Sequence, residues 1–420
     1  MKDGADAFST QYPSGQPHGV PALAAVVVVA LLLAGVQWGV SSQLPGNMAS
    51  FAERPSPVKL TGNILQVASF RFPATLPVYG SSELDRPAAN RPDEFFRGRP
   101  TGFSTFLIGR GGTTCLMIAQ KVAAVGNVAR GKKAVIFLSP TWFAKEGVGE
   151  NAVDANLTSP QLGAWLFGNG LSEPLRQRIV QRLRDFPPSL QDQKLLAEAV
   201  NCVAEPTAIH RAAFMMLRPL GWMQNAIFQR LEYCAILREM LTYHWSRKDR
   251  MATPEAIAPS SAPNWPLLAA NAEANDRAQD DGAVYSATNA LLPERRRADH
   301  IQTQALGSRD DEFAAKILVS KEFDDLRLLI DVLKELGVEP LFIDQPFNGI
   351  YRDIGGTTRR SRQVYYDKVA EILAQAGYPL EDFSDHEEDR FFFNDAGHPS
   401  AKAWIFYDRA IDQFYHHNHG

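Results

Sequence analysis

Hydrophobic positions along the chain fall into three patterns of different period. The first is unbroken: Val20 to Trp38 reads VPALAAVVVVALLLAGVQW, and no Asp, Glu, Lys or Arg occurs from Ala7 to Ala52. As a helix these residues rise about 28 Å, close to the ~30 Å hydrocarbon core of a bilayer. Pro21 falls where a helix tolerates it, and Trp38 falls where the interface favours an amphipathic ring. The spacing therefore predicts a transmembrane helix over 20–40 after an N-terminal tail, 1–19. A cleaved secretory signal is the rival. Against it, the run is longer than an ordinary signal core, the leader is not basic, and no A-x-A site follows.

The second pattern is a set of short apolar runs that stop at small or turn-forming residues. They are Leu76–Gly80, Phe103–Ile108, Ala134–Leu138, Pro340–Asp344 and Pro379–Phe383. Helical sequence, the third pattern, follows several of them. Thr113–Val125 runs to a stop at Gly126, Arg362–Gln375 runs to Gly377, and Ala401–Tyr415 shows Trp404, Tyr407, Ile411 and Phe414 on one face. Before the fourth run, Phe323, Leu326, Ile330 and Leu333 share a face, with Ser320 expected as N-cap and Gly337 as the left-handed terminator. Apolar strands alternating with amphipathic helices predict a three-layer α/β domain with a parallel sheet. Its first part is expected over 73–150 and its second over 311–420. Between them, 151–310 reads as an insertion. It is helical at first, with Leu175, Ile179 and Leu183 at i, i+4 and i+8, and from 251 to 310 an Ala-, Pro- and Asn-rich loop. Residues 41–72 are expected to form a linker and an approach strand.

Composition changes this picture little. Of 420 residues, 45% are hydrophobic, enough for a sizeable core and too many for a disordered chain. A balance of 43 basic against 47 acidic residues excludes a general electrostatic reason to bind nucleic acid. The mean hydropathy of −0.21 excludes a polytopic membrane protein, although an average hides one span. Cys115, Cys202 and Cys234 form no CxxC, so three reduced, buried thiols are expected. Orientation across a membrane is almost unmarked, since Lys2 is the sole Lys or Arg before the span and Arg54 the first after it.

Candidate chemistry collects at the expected carboxyl ends of the strands, where open parallel sheets place ligands. Tyr79-Gly80-Ser81-Ser82-Glu83-Leu84 stands at a strand end entering a helix, and Gly109-Arg110-Gly111-Gly112 follows the second run. Asn394-Asp395-Ala396-Gly397-His398 precedes the last helix. A serine needs a base, and a histidine base needs a carboxylate to set its tautomer. Asp-x-x-His supplies both. Singly, each block reads as a turn, a cap or a surface loop. His386 is the rival base, but it sits in Asp385–Arg390, which reads as a solvated charge run. His416, His417 and His419 read as an exposed tail, and Arg295–Arg297 as a solvated cluster. The glycine loop lacks both phosphate-binding spacings, so no nucleotide, cofactor or metal is expected.

Together the blocks resemble the SGNH/GDSL hydrolase superfamily and, more closely, the DltD family, the membrane-anchored proteins of D-alanylation operons. The stretches that carry the resemblance are YGSSEL (79–84), FLIGRGG (106–112), KKAVIFLSPTWF (132–143), EFDDLRLLIDVLKE (322–335), PFNGIYRD (346–353) and NDAGH (394–398) with the following AKAW. The resemblance implies an SGNH-hydrolase-like parallel sheet. It makes Ser82 the nucleophile, with Ser81 the less favoured register, His398 the base and Asp395 its orienting acid. Gly111, or a neighbouring amide, would join the Ser82 amide in an oxyanion hole. Ser139-Pro140-Thr141-Trp142 stands where many SGNH enzymes carry an oxyanion asparagine, so the third donor is unassigned and Asn348 is a candidate. The resemblance further implies D-alanyl ester transfer to teichoic acid or another envelope glycopolymer on the extracytoplasmic side of the cell membrane. Its expected partners are a membrane-bound O-acyltransferase and a D-alanyl carrier protein. The alternatives are an O-acetyltransferase or esterase acting on another envelope polysaccharide, and a non-catalytic scaffold.

Overall fold

The computed structural model describes residues 19–52, 56–86, 88–143, 147–190, 193–205, 207–246, 262–279 and 303–417. Arg295–Arg297 and His419 lie outside these residues, as does the tail up to residue 18. Five parallel strands, β1 (Thr75–Gly80), β2 (Ser104–Gly109), β3 (Lys133–Leu138), β4 (Glu339–Asp344) and β5 (Leu380–Asp382), form one sheet in the order β2-β1-β3-β4-β5. Each expected run is a strand, shifted by a residue or two at its ends. The unbroken apolar character of the runs follows from burial on both faces. Along β3, Ala134, Ile136 and Leu138 enter one core while Val135 and Phe137 enter the other. The first core is covered by helices Cys115–Val125, Glu322–Leu336 and Arg359–Ala376, and the second by Ala401–His416. This is the three-layer α/β arrangement expected.

Helix ends follow the sequence signals with one exception. Gly337 and Gly377 both terminate helices in the left-handed region, at φ 66° and 75°. At the other end of Glu322–Leu336, however, the N-cap is Lys321 rather than Ser320. The Ser320 hydroxyl accepts a long bond from the Glu322 amide, 3.4 Å. Glu322 instead turns across to the neighbouring helix, where it accepts from the Cys115 amide at 2.7 Å.

Three segments depart from expectation. Among the described residues of 41–72 there is no strand: the first helix runs unbroken over Gly19–Ala52, and Pro57–Thr61 and Ile64–Arg71 are helical. The inner third of the first helix buries Val40, Leu44, Met48 and Phe51 in the core, and the Lys59 ammonium caps its end on the carbonyls of Phe51 and Ala52. Its outer part, including Val20, Leu23, Leu31 and Trp38, is exposed, and this helix is long and apolar enough to cross a membrane. Within 251–310, expected to be loop, Trp265–Gln279 is a helix packed on Ala401–His416, with Trp265 stacked on Phe95. Asp385–Arg390 is not a solvated run, because Glu387 is fully buried. All three cysteines are free, as expected, but Cys234 is only half-buried.

The insertion is helical where expected, ending in a 39-residue helix, Ala208–Ser246. Glu232 on that helix accepts from the Ile64 amide at 2.5 Å, while its second oxygen is buried without a partner among the described residues. Burial pushes its carboxyl up to about 7, against the opposing pull of the amides of residues 63–65. A carboxyl whose pKa is higher folded than unfolded costs stability as pH rises through that interval. We expect Glu232→Gln to stabilise the protein at roughly pH 8 by about 1–3 kcal/mol and to be nearly neutral at roughly pH 4. Denaturation midpoints at the two pH values check this.

Candidate active site

β1 is flanked by β2 on one side and β3 on the other, so the chain turns in opposite directions from the middle of the sheet. In open α/β sheets the crevice at such a reversal, at the carboxyl ends of the strands, is where ligands bind. Gly80 and Gly109 close β1 and β2 in register there. A Cβ on Gly109 would stand 2.2 Å from the Gly80 carbonyl oxygen, so only glycine lets the two strand ends meet this closely. Gly80 is needed for a related reason: its Cβ would collide with the Glu83 carboxylate. The turn expected there requires no unusual backbone, only space.

Ser81 and Ser82 separate cleanly. Ser81 is buried, its amide donating to Glu83 Oε1 at 2.5 Å and its hydroxyl facing the Arg110 carbonyl. Ser82 opens the following helical turn and is part-exposed, with Oγ 2.9 Å from His398 Nε2. His398 Nδ1 lies 2.7 Å and 2.8 Å from the two oxygens of Asp395. With the proton assigned to Nδ1 by its carboxylate partner, Nε2 is left to accept from the serine. Asp395 Oδ1 also accepts from the amides of Gly397 and His398, each at 2.9 Å. Burial works against ionisation, but these bonds outweigh it and hold the Asp395 carboxyl well below the usual carboxylate range.

The loop bearing Asp395 and His398 is closed on itself. Phe393 and Pro399 form an isolated antiparallel bridge, the Asn394 amide donates to the His398 carbonyl, and the Ser400 hydroxyl caps the final helix. Asn348, the candidate oxyanion donor, holds this loop instead. Its Nδ2 donates to the Asp395 carbonyl at 3.1 Å and its Oδ1 caps the Gly349–Ile354 helix. Gly111 does face the serine, for a Cβ built on it would lie 3.9 Å from Ser82 Cβ. His386 does not approach the site. It stacks on Phe392 at 4.2 Å and pairs with Asp389. His416 packs edge-on against Phe103, and His417 bonds the Gln413 carbonyl. Among the described residues no group of three His, Cys, Asp or Glu side chains could hold a metal ion.

Three contributors were not singled out in the sequence. Arg86 lies four residues after Ser82, one helical turn on, and its Nη1 donates to Asp395 Oδ2 at 2.9 Å. Its 3.3 Å approach to His398 Nδ1 sets two donors around one carboxylate. Glu83 is buried behind Ser81, and desolvation raises its pKa despite the Ser81 amide. Its place directly after the serine pair was the available signal. Asn156 offered none, since it comes from a short helix in the insertion. Its Nδ2 donates to the Gly111 carbonyl at 3.2 Å, while its Oδ1 accepts from the Thr113 hydroxyl at 2.7 Å and from Arg110 Nε at 3.3 Å.

The fold and this geometry define a parallel α/β protein with a Ser–His–Asp constellation at the sheet's crevice. A family described as DltD protein matches residues 52–416. The chain belongs to the DltD family, whose members take part in D-alanylation. It is 27% identical over 396 residues to Protein DltD of Bacillus subtilis, covering 93% of this chain and 96% of that protein. It is 26% identical over 353 residues to Protein DltD of Staphylococcus aureus, covering 84% of each. With Protein DltD of Lacticaseibacillus rhamnosus it shares 23% over 401 residues, 93% of this chain and 89% of that one.

Asn156 aligns the Gly111 loop without touching Ser82 in any described contact. On the reading of Ser82 as nucleophile and the Gly111 loop as oxyanion donor proposed below, Asn156→Ala is expected to lower kcat for a chromogenic ester about tenfold while KM changes little. Steady-state kinetics with a thermal melt as control would show it, and a rise in KM at constant kcat would contradict it.

Proposed function

We propose that this chain is a serine acyltransferase of the D-alanylation pathway, with Ser82 as nucleophile, His398 as base and Asp395 as orienting acid. The observation that carries this is the unbroken relay, 2.9 Å from Ser82 Oγ to His398 Nε2 and 2.7 Å from Nδ1 to Asp395. His398 takes the Ser82 proton as Oγ bonds to the acyl carbon, and returns it to the leaving group when the donor's ester or thioester bond breaks. A polymer hydroxyl then attacks the acyl-serine, losing its proton to His398, and Oγ departs to recover it. Charge developing on the carbonyl oxygen is met by the Ser82 amide, free at the start of a helical turn, and by an amide of the Gly111 loop.

The rest of the reading follows the family. The acyl group is D-alanine, supplied through a membrane-bound O-acyltransferase partner and a D-alanyl carrier protein. The acceptor is teichoic acid or a related envelope glycopolymer outside the cytoplasmic membrane. The first helix supports an uncleaved single span, because its inner third is part of the domain core and its outer part is not. That continuity ties the site to one side of a bilayer at a fixed height.

Ser82→Ala is expected to reduce turnover of a model D-alanyl ester by roughly 10⁴-fold without loss of folding. In cells it should abolish base-labile D-alanine esters in the envelope. Undiminished D-alanylation in that variant would instead leave the chain a scaffold, and acetate in place of released D-alanine would make it an O-acetyltransferase.

A further inference from the structure

A second cavity lies in the helical insertion, built by other residues than those around Ser82. Its volume is ≈250 Å³. Arg176 enters it from helix Glu173–Leu183, and Arg211 and Arg218 enter from helix Ala208–Ser246. Glu173 supplies the one carboxylate of the lining, 3.4 Å from Arg211 Nε, and Glu335 acts on Arg176 from outside it, so three guanidinium groups outnumber the carboxylates near them.

Two of those groups are incompletely bonded. Arg176 is 8% exposed and spends Nη2 on the carbonyls of Gly168 and Leu171, at 2.8 and 3.0 Å, yet its Nε is buried with no partner among the described residues. Arg218 donates Nη2 to Asn169 at 2.6 Å and lies over the Trp222 ring, and its Nε is likewise buried and unpartnered. Burial, and then the positive charge of Arg218, lower the pKa of Arg176. A buried cationic N–H without an acceptor is costly, and two beside one another cost more. An oxyanion in the cavity would meet guanidinium groups of both residues, whose charge the Glu173 carboxylate of the lining does not balance. Its charge-assisted bonds to paired guanidinium groups are the geometry in which arginine outperforms lysine. The remaining wall is formed by Val203, Phe214 and Met215 together with Cys202, whose thiol lies 3.9 Å from Glu198 Oε1.

We propose that this cavity binds a phosphate ester carrying an apolar arm. The guanidinium groups of Arg176 and Arg218 donate to the phosphate oxygens, and the arm lies along Phe214 and Met215. The ester is either an anionic phospholipid headgroup or a soluble alkyl phosphate. Neither the site nor its test depends on the chemistry at Ser82.

The experiment is titration calorimetry on the full chain in an uncharged detergent. The probes are dihexanoyl phosphatidylglycerol, hexyl phosphate and, as the phosphate-free control, dihexanoyl glycerol. Saturable binding of the phospholipid alone identifies a lipid headgroup, and equal binding of hexyl phosphate identifies a soluble ester. The control should not bind. Arg218→Gln should weaken binding at least about tenfold, the loss of one charge-assisted donor. Val203→Trp, which fills the cavity and leaves its charge intact, should abolish it. Arg176 also holds two carbonyls and is left unchanged. Failure of both phosphates to saturate at millimolar concentration, or an Arg218→Gln variant that binds as wild type, would overturn the proposal.

Discussion

The position of Asp395 and His398 depends on a buried ion pair that fixes the chain just before them at Glu387. Arg362 and Glu387 are both fully buried, with guanidinium nitrogens 2.9 and 3.0 Å from the same carboxylate oxygen. Removing two charges from water is expensive, and such a pair is tolerable only when every remaining donor and acceptor is bonded. Here they are. Arg362 also reaches Asp353, the Thr357 carbonyl and Glu388, and the other Glu387 oxygen accepts from the Tyr366 hydroxyl at 2.7 Å. The Glu387 carbonyl then receives the Gly349 amide. One cluster therefore joins the loop after β4, the helix Arg359–Ala376 and the loop that leads to the site. Beside it, Asp389 is held by Lys402 of the final helix at 2.5 Å, with His386 packed over Phe392. The charges of 385–390 are the mortar of the C-terminal loop.

The same economy appears on the serine side. Ser82 needs a strand that ends beside a second glycine loop, and the Gly80–Gly109 approach provides it. The loop after β2 is then steadied from outside the sheet by Asn156. A segment that reads as an insertion thus steadies the loop that faces Ser82, and its longest helix packs on the first helix. The inner end of the first helix, the insertion and one face of the sheet share one continuous core.

Much of this was legible. Two-sided burial makes strands read as solid apolar runs, and left-handed glycines mark helix ends wherever the chain must reverse; both are local requirements, so local sequence records them. Ser82, Asp395 and His398 were legible only together: each block alone read as a turn, a cap or a loop, and the order of the blocks along the chain carried the resemblance that grouped them. The misreadings share one cause. Residues 41–72 look like a linker because their apolar positions are sparse, yet enough of them meet the core to keep the helix going. Asp385–Arg390 looks solvated because its partners, Arg362 and Lys402, are distant or on another element. Ser320 looks like a cap because nothing nearby shows that Glu322 is engaged by Cys115.

The sequence by itself determined the strands, most helix ends and the long apolar stretch, since each follows from periodicity or backbone freedom, and it brought Ser82, Asp395 and His398 forward as candidates through the resemblance of their blocks. Only the tertiary structure decided which serine faces the histidine across 316 residues of chain, that Asn348 braces a loop, and that Arg86 and Asn156 belong beside the site. The reason is physical. A hydrogen bond has no sequence period, and what a polar side chain does is settled by whatever the fold brings within 3 Å of it.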